Sequence, residues 1–198
     1  MEIDRAFPHS YEVEEFPELP GTGKFDVPLH YFPRPTESRP EHDGVWLKIR
    51  AANGKSWIGV FGFGYAEPPA ISGFVSTPNP HRACVISRGA AYVVKADEPD
   101  TWEQIPAMPV LDVRSIPQHQ LLVFADFTRL AAYGGNGLVW RSPRVCWDEL
   151  KILNLTRDSI EGVGYDPTSL GESRFAVDIR TGRSLFPSPV STDGRPLW

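Results

Sequence analysis

The sequence predicts an all-β protein of antiparallel sheets, with about ten to twelve strands and little helix. Three observations carry that prediction. From Val45 onward, short runs rich in Val, Ile, Phe, Tyr and Trp alternate with Gly, Asn and Asp, the pattern of half-buried strands separated by turns. No segment holds a convincing amphipathic helical period. The gaps between runs are also too short for the crossovers that parallel pairing requires. Pro 20 and Gly 17 in 198 residues exceed the average combined usage of about 12%, yet stay below the roughly 25–30% of low-complexity chains.

Taken in order, Val45–Ala51 and Ser56–Phe63 flank Asn53-Gly54, which predicts a hairpin with a type I′ turn. Ala83–Ser87 and Ala90–Ala96 flank Arg88-Gly89 and predict a second antiparallel pair. Four further runs follow: Val110–Ser115, Leu121–Ala125, Arg129–Tyr133 and Gly137–Arg141. The turn Asp126-Phe-Thr and the loop Gly134-Gly-Asn-Gly punctuate them. Lys151–Leu155 and Ser159–Tyr165 turn at Arg157-Asp158, and Arg174–Arg180 turns at Thr181-Gly182. One helical turn is expected behind Pro99, within Asp97–Ile105, and another over Cys146–Leu150.

Two strand–turn–strand segments, Val85–Tyr92 and Val123–Tyr133, both end small-small-aromatic and lie about 40 residues apart, a propeller-blade spacing. The stretch Leu122–Ser142, with Gly137-Leu-Val-Trp140, resembles the blades of β-propellers. Trp140-Arg-Ser-Pro-Arg-Val-Cys-Trp-Asp-Glu-Leu-Lys-Ile152 resembles uncharacterised bacterial β-rich proteins. These likenesses imply either a sandwich or an incomplete propeller-like assembly, since a full propeller needs four or more four-stranded blades.

Charge divides the chain. Residues 1–44 hold ten acids against four bases, and the other 154 residues hold 15 acids and 16 bases. The expected organisation is therefore an acidic, Pro-rich arm, 1–44, docked on an antiparallel β domain, 45–198. Phe7, Tyr11, Phe16, Phe25, Tyr31 and Phe32 of the arm would lie in grooves of the body. With no basic stripe for counterion release, nucleic acid is not an expected partner. No run reaches the roughly 18 apolar residues of a spanning helix, and the first ten residues lack the basic start and apolar centre of an export signal. A cytoplasmic protein is expected, with Cys84 and Cys146 as reduced core thiols, although a bridge between them stays open.

Nothing in the sequence specifies a reaction. The five histidines, His9, His30, His42, His81 and His119, show no metal-ligand spacing, and no metal or cofactor is expected. Pro20-Gly-Thr-Gly-Lys24 reads as a turn, because the strand and helix that frame a phosphate loop are missing. Gly59, Gly62 and Gly64 read as bulges or close backbone approaches. Trp57, Phe61, Tyr92, Phe124, Trp140 and Phe175 read as core, each worth roughly 150–250 Å² of buried area.

Two sets of candidate site residues remain. Asp126, Asp148 and Glu149 fall at turns or strand ends, where β scaffolds display functional groups, and are the catalytic candidates. Trp140, Arg141 and Trp147 are the binding candidates, with Trp147 standing beside Asp148 and near Arg144. The preferred reading is a non-catalytic module binding a protein or small molecule. The alternative is a carboxylate-based hydrolase or lyase acting on a glycoside-like or other small polar substrate. A homodimer through the arm or an open sheet edge is the third reading.

Overall fold

The structure, a computed structural model, describes residues 2–15, 24–38, 41, 43–64, 70–168 and 170–186. Phe16, the Pro20–Gly23 part of the phosphate-loop-like turn, His42 and Trp198 lie outside the described residues, and nothing is drawn from the side chains of Glu2 and Ile3. The protein is all-β, with sheets that are mostly antiparallel and open. The single helical element among the described residues is a short 3-10 turn, Pro117–His119. The chain forms two compact units, Met1–Val110 and Leu111–Trp198.

The first unit holds β1 (Glu2–Asp4), β2 (Tyr11–Glu15), β3 (Leu29–Phe32), β4 (Gly44–Ala51), β5 (Ser56–Gly62), β6 (Gly73–Ser76), β7 (Arg82–Ser87), β8 (Ala90–Lys95) and β9 (Glu98–Gln104). They form one sheet ordered β2-β4-β5-β3 and another ordered β1-β6-β7-β8-β9. The two sheets share a core of Leu47, Ile49, Trp57, Phe61, Val85, Tyr92 and neighbours. Alternate residues of each strand reach that core, as the two-residue period of a strand requires. Three arm aromatics, Phe7, Tyr11 and Phe32, are buried, and Phe25 stacks on Trp46 at 5.8 Å.

The second unit holds β10 (Asp112–Ile116), β11 (Leu121–Ala125), β12 (Leu130–Gly134), β13 (Gly137–Arg141), β14 (Asp148–Leu155), β15 (Ser159–Asp166) and β16 (Gly171–Asp178). A β10-β11-β12-β13 meander packs with a β14-β15-β16 sheet over Val123, Leu130, Ala132, Trp140, Cys146, Ile160, Phe175 and Val177.

Several local expectations need correction. Glu98–Gln104 is a strand, not a helical turn: it pairs with β8, and its exposed face carries Glu98, Asp100 and Thr101. Cys146–Leu150 likewise runs into β14. At Asn53-Gly54 only Gly54 has positive φ, +80°. Gly54 N–H donates to Ala51 O and Ala51 N–H to Lys55 O, so this hairpin closes through a type I turn with a glycine bulge. The type I′ turn is at Arg88-Gly89, with φ of +43° and +81°.

Two parallel pairings, β1 with β6 and β3 with β5, depart from the antiparallel rule. Both use arm strands returning after long connections, which the short gaps of the body could not supply. The arm strands, β6 and β9 also account for sixteen strands among the described residues, where about ten to twelve were expected. Their runs are short, acidic or proline-bearing, and weak in β-propensity.

The units repeat one plan. Leu47, Asn53-Gly54 and Trp57 of the first correspond to Leu130, Asn136-Gly137 and Trp140 of the second, at one constant spacing. Ile49 pairs with Trp57 as Ala132 pairs with Trp140. Trp57 Nε1 donates to Ala96 O at 2.7 Å, and Trp140 Nε1 to Ile179 O at 3.0 Å. In turn Ala96 N–H donates to His81 O, and Ile179 N–H to Asp158 O. The pair Val85–Tyr92 and Val123–Tyr133 is a different likeness. Tyr92 faces the core opposite Val85, whereas Tyr133 pairs with Leu122 and meets Phe124 on the other face. The longer turn at Asp126 shifts the register by one residue, and a one-residue shift changes the face.

Candidate functional site

The sequence-predicted residues gather around the segment that joins β13 to β14. Trp140 is buried in the core of the second unit, its indole N–H satisfied by Ile179 O. One residue on, the strand period turns Arg141 outward, and its Nη2 lies 3.7 Å from Asp126 Oδ2. Pro143 cannot donate to a ladder, and β13 ends at Arg141. Ser142 secures this ending: its N–H donates to Leu130 O, its Oγ accepts from Leu130 N–H and donates to Pro143 O.

Asp126 is buried and shapes a turn. Its Oδ1 accepts from Thr128 N–H at 2.8 Å, Thr128 Oγ1 at 3.3 Å and Arg129 N–H at 2.7 Å. These bonds close the β11–β12 connection in the manner of an Asx turn. Asp148 opens β14 and its Oδ1 accepts from Glu149 N–H at 2.7 Å. Glu149 itself is exposed and takes a positive φ of +55° at a register irregularity of β14.

Cys146 is buried and bonded to the turn that Asp126 shapes. Its thiol donates to Phe127 O at 3.4 Å. Burial, then the Asp148 and Asp126 carboxylates, push its pKa up to about 12, so it stays a neutral thiol. Gly164 makes room for it: a Cβ there would lie 2.4 Å from Cys146 Cβ. Cys84 is also free and buried, and burial raises its pKa.

Arg144 and Trp147 complete the cluster. The Arg144 guanidinium carbon lies 4.9 Å from the Trp147 ring centroid, a cation–π contact. Trp147 is 39% exposed and its N–H donates to Tyr165 O. Arg144 is half-buried, and its Nε is buried with no hydrogen-bond partner. Among the described residues no group of three or more His, Cys, Asp or Glu side chains could hold a metal.

Sequence reading overlooked a second polar meeting point, in the first unit. Ser10, Asn53, His81 and Asp97 line a shallow cavity of about 130 Å³. Ser10 N–H and Oγ–H both donate to Pro80 O, at 2.9 and 3.0 Å, and Ser10 Oγ meets His81 Nδ1 at 2.9 Å. With the hydroxyl proton on Pro80, Oγ accepts from His81. The second unit braces the matching turn with His119 Nε2, which donates to Arg157 O at 2.8 Å. The Ser10–His81 pair thus belongs to the repeated plan and ties a strand to a turn.

No family model matches the chain, and no curated protein matches it in sequence. The fold and the geometry around Arg144 and Trp147 are the ground for a functional reading.

Proposed function

We propose that the protein is a non-catalytic binding module whose contact surface includes Arg141, Arg144 and Trp147. The observation that carries this reading is the division of labour in the cluster. The Oδ1 atoms of Asp126 and Asp148 serve their own turns, while the Arg144–Trp147 stack shows solvent an aromatic face beside a cation with no carboxylate partner among the described residues. Arginine and tryptophan in this arrangement are typical binding anchors. Trp140 supports the surface from beneath, as the buried neighbour of Arg141. A cytoplasmic, bacterial setting belongs to the same proposal, supported by the two buried free thiols and by the Trp140–Ile152 resemblance.

Affinity capture with the full chain, from cells grown under several conditions, tests the reading. A specific protein or small molecule retained by the wild type and lost from Trp147→Ala supports it. A chain that returns alone under every condition overturns it.

A carboxylate-based hydrolase or lyase is the second reading. It draws on one feature: the Asp126 and Asp148 carboxylates both raise the pKa of the Cys146 thiol. Turnover of aryl glycosides that is abolished in both Asp126→Asn and Asp148→Asn would favour it over the first.

A further inference from the structure

We infer that the Arg144–Trp147 stack is a receptor for a carboxylate carried on a flat or apolar body. This rests on the binding reading above and specifies its ligand chemistry. Arg144 is held by its stack on the Trp147 ring and not by an ion pair among the described residues. Its Nε is buried without a partner, an uncommon state for a buried polar atom. Of the two charged neighbours named at this segment, Asp126 faces Arg141 and the three donors of its own turn. The Asp148 Oδ1 accepts from the Glu149 backbone. The guanidinium therefore keeps its Nη donors for an incoming acid. A planar fork pairs bidentately with a carboxylate. The exposed part of the indole adjoins it and receives the apolar body of the same ligand.

The two units differ at this point of the sequence repeat. Counting along the repeated plan from Trp57 and Trp140, Arg144 stands where the first unit has Phe61. Phe61 is fully buried, with Phe32 of the added strand β3 stacked on it at 4.7 Å. Among the described residues, no strand pairs along β13 on its outer side. Where the sequence repeat of the first unit has a buried phenylalanine, the second has a cation, which suits an acidic ligand.

The test uses the full-length protein and nitrogen-15 NMR of the Arg144 Nε–H and Trp147 indole N–H. The probes are benzoate, acetate, benzyl alcohol and phenyl phosphate. Benzoate is expected to shift both signals saturably and to bind about tenfold or more tightly than acetate or benzyl alcohol. Arg144→Gln should weaken benzoate about tenfold or more, as loss of a charge-assisted pair does. Arg144→Lys, which keeps the charge and the fold but not the fork, should also weaken it. Arg183→Gln, elsewhere in the unit, should leave it unchanged. Absence of any shift overturns the inference, as does acetate binding as tightly as benzoate. Tighter binding of phenyl phosphate overturns the carboxylate assignment. A partner captured equally well by wild type and Arg144→Lys would uphold the binding reading and sink this inference alone.

Discussion

The first unit covers the outer sides of two inner strands, and among the described residues the second leaves the matching strands bare but unfit to pair. In the first, β3 lies along β5 and β1 lies along β6, both in parallel register. In the second, β13 and β14 end their sheets. An uncovered strand is a template for unwanted pairing unless something blunts it. The chain blunts β13 with Pro143, whose carbonyl is already taken by Ser142. It blunts β14 with two register irregularities, at Asp148/Lys151 and Ile152/Asn154. Exposed Leu138, Val139 and Leu153 on these strands would otherwise be hazards. The sheets of the first unit end on β2 and β3 and on β1 and β9, and of these β2 and β9 carry the acidic side chains Glu12, Glu14, Glu98 and Glu103. One plan thus accommodates two solutions, and the acidic arm belongs to the first of them.

The comparison is broken most forcefully at the paired tryptophans. Trp57→Ala and Trp140→Ala should each cost about 3–5 kcal/mol, read by denaturant unfolding. Hydrogen exchange should show faster opening in residues 2–110 for the first variant and 111–186 for the second. Loss of protection throughout the chain in both variants would show that the two cores do not act separately. Next in size is Phe7→Ala, which empties a fully buried site beside β6, where Phe7 N–H donates to Ser76 Oγ. A loss of about 3 kcal/mol or more is expected, with faster exchange at β6, and an unchanged midpoint would deny the arm its covering role. Pro143→Val should restore a donor to the end of β13 and raise self-association with concentration. Light scattering that reports the same monomer for variant and wild type would remove proline as the blunting device.

The smallest effect concerns the seam between β3 and β9. His30 stands edge-on to Trp57, with Nδ1 4.0 Å from Asp100, which also pairs with Arg34. Burial lowers its pKa below 6.5, against the opposing pull of the Asp100 carboxylate. The unfolded chain then binds the proton more readily than the folded one, so stability is full above about pH 6.5 and falls as the pH drops through that range. The melting temperature of His30→Gln should fall less steeply between pH 7 and 5. An identical slope in variant and wild type would exclude this histidine as the cause.

Particular residues show how far the sequence reaches. The runs around Val85, Val93, Val123 and Ala132 announce strands because β-branched and small apolar residues there have turns at both ends, and all are buried. The runs at Glu98–Gln104 and Glu2–Asp4 announce nothing of the kind, because strands at a sheet edge are stabilised by a neighbour's backbone and not by their own burial. The repeat of Asn-Gly-x-x-Trp at 53–57 and 136–140 was visible in the sequence. Its significance lay in bonds to Ala96 and Ile179, each 39 residues further on. Around the candidate site, Asp126, Arg141 and Trp147 could be picked out by type and position. The Cys146 thiol was legible as a core residue from its apolar neighbours, but the buried Arg144 Nε was not.

The opening imbalance of charge illustrates the division. Sequence by itself determined an all-β chain, its turns, most of its core aromatics and an acidic first 44 residues, because periodicity and turn chemistry are local properties. Tertiary structure alone decided that those residues supply β1, β2 and β3, that β1 and β3 run parallel to their neighbours, and that the described residues of the second unit include no such strands. Backbone pairing between distant segments leaves no period in either one, so only the folded chain could settle which strands are covered and which are blunted.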